Sequence, residues 1–162
     1  MKIGVISDTH INDISSHKLS EKVYEYFKEC SLIIHAGDIT NISVIKELEK
    51  IAKTYVVCGN MDDIGIRKQY KEKIVINVKG KNIGVVHGKG FDLNVISNLQ
   101  KAFKKKLDII VFGHSHVSLK KVENVVLFFN PGSATDNIFC DCCSIGIIDI
   151  QQDNILANII KI

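Results

Sequence analysis

No apolar run in this 162-residue chain approaches the roughly 18 residues that a membrane-crossing helix requires, which excludes a helical span. A secretory leader is not expected either, because MKIGVISD turns acidic at Asp8, too early for a leader's apolar stretch. These absences predict a soluble, cytoplasmic protein with no membrane partner. Charge of one sign is not in large excess: 21 basic residues against 18 acidic give a net +3, so nucleic acid is not indicated as a partner. The one dense basic run, Lys101 with Lys104, Lys105 and Lys106, is expected to close a helix, where cations complement the carbonyl end of the dipole. Proline occurs once, and linkers, low-complexity tracts and internal repeats are lacking. With 46% hydrophobic residues, the expectation is a single domain over residues 1–162 with a full core. The five cysteines form an odd, unpatterned set that a reducing compartment would keep as thiols. Cys140, Cys142 and Cys143 have no second pair at finger or ribbon spacing to complete four zinc ligands, so they read as a loop entering a strand. Oligomeric state is left open, a homodimer included.

What is present is a repeated design. Five β-branched runs, KIGVISDTH, LIIHAGD, TYVVCGN, IGVVHG and DIIVFGHSH, each read as a buried strand ending in a loop. Between them lie three segments of helical period: Leu19, Val23, Tyr26 or Phe27 and Cys30; Ile45, Leu48, Ile51 and Ala52; Leu93, Ile96, Leu99 and Phe103. Strand, helix, strand is the parallel α/β pattern. Two further stretches, KIVINVKGKNIGVV and SIGIIDIQQDNILANIIKI, are strand pairs joined by short polar turns, which implies antiparallel hairpins. Together these predict an α/β fold, α+β in some schemes, of two packed sheets with helices on the outer faces.

The residues just past the five strands are Asp8 and His10, Asp38, Asn60, His87, and His114 with His116. All are metal-ligand types, and in open α/β sheets the ligand crevice lies at the carboxyl ends of the strands. His17 falls in a loop and His35 within a strand, where it is expected to be packed or to support the site from behind. On an extended chain His114 and His116 would face one cavity, roughly 6.5 Å apart. Oxygen and imidazole donors without thiolate suit manganese, iron, nickel, cobalt or zinc in open geometry. Seven donors exceed the need of one ion and suffice for two if Asp38 bridges. Two divalent ions against two carboxylates leave positive charge that invites an anion, and a phosphate ester attacked in line by water deprotonated between the ions fits.

The ordered blocks Asp8-x-His10, Gly37-Asp38, Gly59-Asn60, His87-Gly88 and Gly113-His114-x-His116 resemble the calcineurin-like metallophosphoesterase superfamily. The shortness of the chain and Asn130 to Ser133, NPGS, are most similar to its small single-domain phosphodiesterase branch of bacteria and archaea. The resemblance implies a four-layer αββα sandwich of two mixed sheets. It implies that Asp8, His10 and His116 hold one metal, that Asn60, His87 and His114 hold the other, and that Asp38 bridges them. Asp38, Asn60 and His87 would be the residues closest to catalysis, with manganese the expected ion, a hydroxide between the two ions as nucleophile, and a small phosphodiester as substrate. Asn60 would also touch a phosphoryl oxygen through its amide.

Two departures stand out. Larger family phosphatases place a proton-donating histidine after Gly-Asn, where this chain has Met61, and a thioether has no proton to give. Members often carry Pro-Arg after NPGS, where this chain continues ATDNIFC. Arg67 and Lys68, in the segment 61–73, lie near the presumed cleft on what reads as a solvated loop or short helix. Two rival functions use the same letters: a metal-binding protein without turnover, and an interaction scaffold like the retromer subunit that resembles this family after losing several of the histidines.

Overall fold

The structure, a computed structural model, describes residues 1–11, 18–88, 95–136, 142–152 and 154–162. His17, Leu93 and Cys140 lie outside the described residues. Among the described residues, ten strands form two five-stranded mixed sheets. The first sheet orders β10 (Ile155–Lys161), β9 (Ser144–Ile150), β1 (Lys2–Ile6), β2 (Leu32–His35) and β3 (Thr54–Val56). The second orders β4 (Lys73–Val78), β5 (Lys81–Val86), β6 (Ile109–Val111), β8 (Val126–Asn130) and β7 (Leu119–Glu123). In each sheet the three strands at the functional rim are parallel: β1, β2 and β3 in one, β5, β6 and β8 in the other.

The continuous apolar runs are explained by burial on both faces. Ile3, Val5 and Ile34 of the first sheet pack against Ile83, Val85, Val111 and Phe129 of the second, and all seven are fully buried. The first sheet's outer face carries α1 (Glu21–Phe27) and α2 (Ile42–Glu49) through Val23, Phe27, Val44, Ile45 and Leu48. The second sheet's outer face carries α4 (Val95–Lys101) through Leu99, beside Phe112 and Phe128. Helix, sheet, sheet, helix is the expected αββα order. The helix starts follow local chemistry: Ser20, Asn41 and Asp63 each accept a main-chain N–H as N-caps of α1, α2 and α3 (Ile64–Gln69). Phe27, rather than the half-exposed Tyr26, takes the inward position of α1. No helix among the described residues is long and apolar enough to cross a membrane.

Arg67 and Lys68 stand, as expected, on a short helix, α3, that carries the chain from the first sheet to the second. Two features differ from expectation. Lys104, Lys105 and Lys106 lie beyond α4, whose last turn holds only Lys101. The β7–β8 hairpin is a third strand pair that the apolar pattern missed, because Lys120 and Lys121 face solvent on an edge strand and its turn is not Asn-Gly. That turn is Asn124-Val125, with φ of 49° and 61°. A β-branched residue in the left-handed region is strained. Val125→Gly is therefore expected to stabilise the domain by about 1 kcal/mol in urea unfolding, the strain relieved less the backbone entropy glycine adds to the unfolded chain.

Candidate metal centre

The strand register brings distant loops to one rim. Ile6 of β1 pairs with His35 of β2, which pairs with Val56 of β3, so Asp8, Asp38 and Asn60 leave adjacent strands at the same end. Val85 pairs with Val111 across β5 and β6, which places His87 and His114 side by side above the second sheet. Main-chain bonds then lace the loops together: Asp8 N–H to Gly37 O at 3.0 Å, His10 N–H to Asp38 O at 3.2 Å, and Gly113 N–H to His87 O at 3.0 Å. The two sheets are joined at the rim where His114 N–H donates to the Asp8 carboxylate at 3.1 Å.

All seven expected side chains meet in one region, in two sets. The ligand atoms of Asp8, His10 and His116 lie within 4.8 Å of one another, and so do those of Asp38, His87 and His114. Asn60 Oδ1 joins the second set, 2.8 Å from His114 Nδ1 and 3.1 Å from His87 Nε2. Asp38 Oδ2 reaches both, 3.6 Å from His10 Nε2 and 3.1 Å from His87 Nε2. The expectation for the His-x-His pair needs correction. His114 and His116 are not on extended chain; their φ values are 72° and 57°, and they turn into different sets. Asp8, His10 and Asp38 also have positive φ, so five of the seven side chains are aimed by a sparsely populated backbone conformation.

Close approach explains two of the glycines. A Cβ on Gly59 would stand 2.1 Å from Asp38 Oδ1, and one on Gly113 would stand 2.8 Å from Asp8 Oδ2. Each makes room for a side chain from another block, which is why the motif letters come as pairs.

The electrostatics fit a cation. Burial drives the Asp8 carboxyl above its ordinary range, against the pull of His87 and His116. Burial acts in the same sense on Asp38, but the His87 hydrogen bond and charge, with the Met61 N–H bond at 2.7 Å, hold it below the usual range. His87 is raised despite burial by its bond to Asp38, and His114 is lowered by burial and by His87. His87 Nδ1 bonds Ala36 O at 2.8 Å, which fixes the ring and turns Nε2 toward Asp38. His10 Nε2 and His116 Nε2 face each other at 3.1 Å. Two ring nitrogens aimed at one point beside a buried carboxylate make a donor set suited to a divalent ion.

His35 is fully buried between Gly37 N–H, at 3.3 Å from Nδ1, and the Thr9 hydroxyl, at 3.2 Å from Nε2. Burial first and His87 second push its pKa down to about 3, so it supports the loops as a neutral ring. Cys142 and Cys143 enter β9 as free, half-buried thiols.

Two carboxylates escaped the sequence reading. Buried Asp62 accepts from Ile39 and Thr40 N–H at 2.7 and 2.8 Å and from Gly59 N–H at 2.7 Å, locking the Asp38 loop to the Asn60 loop. Asp136 bonds His116 Nδ1 through Oδ2, leaving Nε2 to face His10. NPGS places it: Ser133 Oγ donates to Asp8 O at 2.6 Å and accepts Asp136 N–H at 2.9 Å, while Asn130 donates to Gly113 O at 3.0 Å. No spacing rule points to Asp136, which meets His116 only through this folded loop. Asp136→Asn is expected to weaken divalent-ion binding about 10- to 100-fold, as read by metal titration, because the His116 ring loses the carboxylate that orients it and raises its basicity.

Comparison with known proteins agrees with the geometry. Residues 1–153 match the Calcineurin-like phosphoesterase superfamily domain. A probable metallophosphoesterase of Methanothermobacter thermautotrophicus is 34% identical over 99% of this chain and 92% of that protein. A phosphodiesterase of Methanocaldococcus jannaschii is 28% identical over 94% of this chain and 95% of its own length. Among solved structures, a Vps29 variant from Entamoeba histolytica superposes with a TM-score of 0.80 at 20% identity, covering 100% of this chain and 99% of that one.

Proposed function

Because this chain belongs to the calcineurin-like phosphoesterase superfamily, we propose that it is a metal-dependent phosphodiesterase acting on a small phosphodiester at the rim where the two sheets meet. One observation carries the reading: two sets of metal-ligand atoms, drawn from both sheets, share the Asp38 carboxylate between them. Asp8, His10 and His116 would hold one divalent ion, Asn60, His87 and His114 the other, and Asp38 both. Manganese is the ion we expect, and nickel, iron, zinc and cobalt suit the same donors. Bound there, the ions supply positive charge to phosphoryl oxygens and acidify the attacking water.

The chain's own groups do the rest. Two divalent ions bring four positive charges against the carboxylates of Asp8, Asp38 and Asp136, so the site keeps an attraction for an anion. With its Oδ1 turned toward His87 and His114, Asn60 presents its amide N–H to a phosphoryl oxygen. Met61 is exposed at 60% and gives the site only its backbone N–H, which binds Asp38. No side chain at that position protonates a leaving group, so diesters with acidic leaving alcohols are expected to react fastest.

The test is a panel of phosphomonoesters and phosphodiesters assayed with manganese, nickel, zinc and magnesium, beside elemental analysis of the purified protein. Turnover of an activated diester supports the reading. Bound metal with no ester hydrolysed would replace it with a non-catalytic metal-binding role, and failure to bind any divalent ion would favour the scaffold role. The Vps29 likeness, at 20% identity, bears on the fold alone.

A further inference from the structure

Beside the metal centre a cleft of about 480 Å³ opens between α3, the start of β4, the end of β5 and α4. Asn60 and His87 line it, so a ligand that fills it touches the second ligand set. Two kinds of group stand out in the remaining walls. Val86, Leu99 and Ala102 present apolar surface, while Arg67 and Lys73 bring two positive charges against the single carboxylate of Glu72.

The cations are held in place by the main chain. Arg67 Nε donates to Asp62 O at 2.7 Å and Nη2 donates to Asn60 O, which fixes the guanidinium beside the site and leaves it further N–H donors. Lys73 Nζ donates to Ala102 O at 2.7 Å and lies 5.9 Å from the Phe103 ring centroid. A volume of this size is in the range of pockets that enclose an organic ligand, far beyond what a phosphoryl group occupies. Apolar walls with cations at the edge suit a flat ring system that carries polar acceptors around its rim.

Resting on the phosphodiesterase reading, we infer that one ester arm of the substrate lies in this cleft, and that the arm is a flat, nucleoside-sized group. The metal ligands would then select the phosphoryl group, and the cleft would select the alcohol. Arg67 becomes a specificity-determining residue that links the two, since it bonds the Asn60 main chain while facing the arm.

The test compares two monoesters that differ only in the arm, thymidine 5′-monophosphate and methyl phosphate, binding to the manganese-loaded protein by calorimetry. The thymidine ester is expected to bind about tenfold tighter or better, from the apolar area its ring buries. Ala102→Trp and Val86→Phe fill the cleft from two walls, and each is expected to reduce that preference to less than about threefold. Equal affinities for the two esters in the unaltered protein would overturn the inference, as would a preference that neither substitution diminishes. Diester hydrolysis is scored separately on the same preparations. Absent turnover with the preference intact would sink the phosphodiesterase reading and leave the cleft as a nucleotide-binding site.

Discussion

Asp38→Asn is expected to lower kcat for an activated phosphodiester about a thousandfold or more, equivalent to roughly 4 kcal/mol of transition-state stabilisation. The carboxylate reaches both sets through one oxygen, 3.6 Å from His10 Nε2 and 3.1 Å from His87 Nε2. Asparagine keeps the volume and the acceptor for Met61 N–H, so the fold is expected to survive. It removes the negative charge that would hold two cations close together. His114→Ala should act in the same direction, since it removes one ring nitrogen from the second set, the one 2.8 Å from Asn60 Oδ1. Steady-state kinetics at saturating manganese, with circular dichroism to establish folding, is the measurement. An Asp38→Asn protein that keeps a tenth or more of wild-type kcat would show that the shared carboxylate is not central.

Adding manganese to chelator-treated protein is expected to raise Tm by about 10 °C or more. Each ion present at a hundred times its dissociation constant contributes about 2.7 kcal/mol to the native state, and a domain of this length shifts by about 2–4 °C per kcal/mol. The rim is suited to a cation. Asp8 is a fully buried carboxylate whose pKa burial raises, beside two histidine nitrogens 3.1 Å apart, and a cation relieves both. The pH dependence has a definite sign. Without metal, Asp8 and His87 both hold a proton more tightly than usual, and a ligand must shed its proton to bind. Protons therefore compete with the ion, and the manganese-induced shift should shrink as pH falls, starting above the ordinary histidine range because His87 is raised. Calorimetric scans at pH 8 and pH 5.5 measure it. A shift below about 2 °C with manganese in large excess at pH 8 would show that the two sets do not act as a metal site.

Much of this was legible locally. Apolar runs found β1, β2, β3, β5 and β6, and hairpin spacing found β4–β5 and β9–β10, because burial on both faces and short polar turns leave marks in adjacent letters. The seven candidate side chains were legible for the same reason, since each stands one to five residues past a strand end. The β7–β8 hairpin was not, because an edge strand facing solvent carries lysines where a core strand carries isoleucines.

By itself the sequence determined which residues are offered at the rim, since strand period and loop chemistry act over a few residues. Only the tertiary structure decided how they are shared out. His114 and His116, two positions apart, part company because their backbone is left-handed rather than extended. Asp136 meets His116 from 20 residues away, Asp62 ties two loops, and the cleft joins α3 to α4. Each of these depends on which loops come to lie side by side, and that is fixed by how the two sheets pack, a long-range outcome no short window of residues encodes.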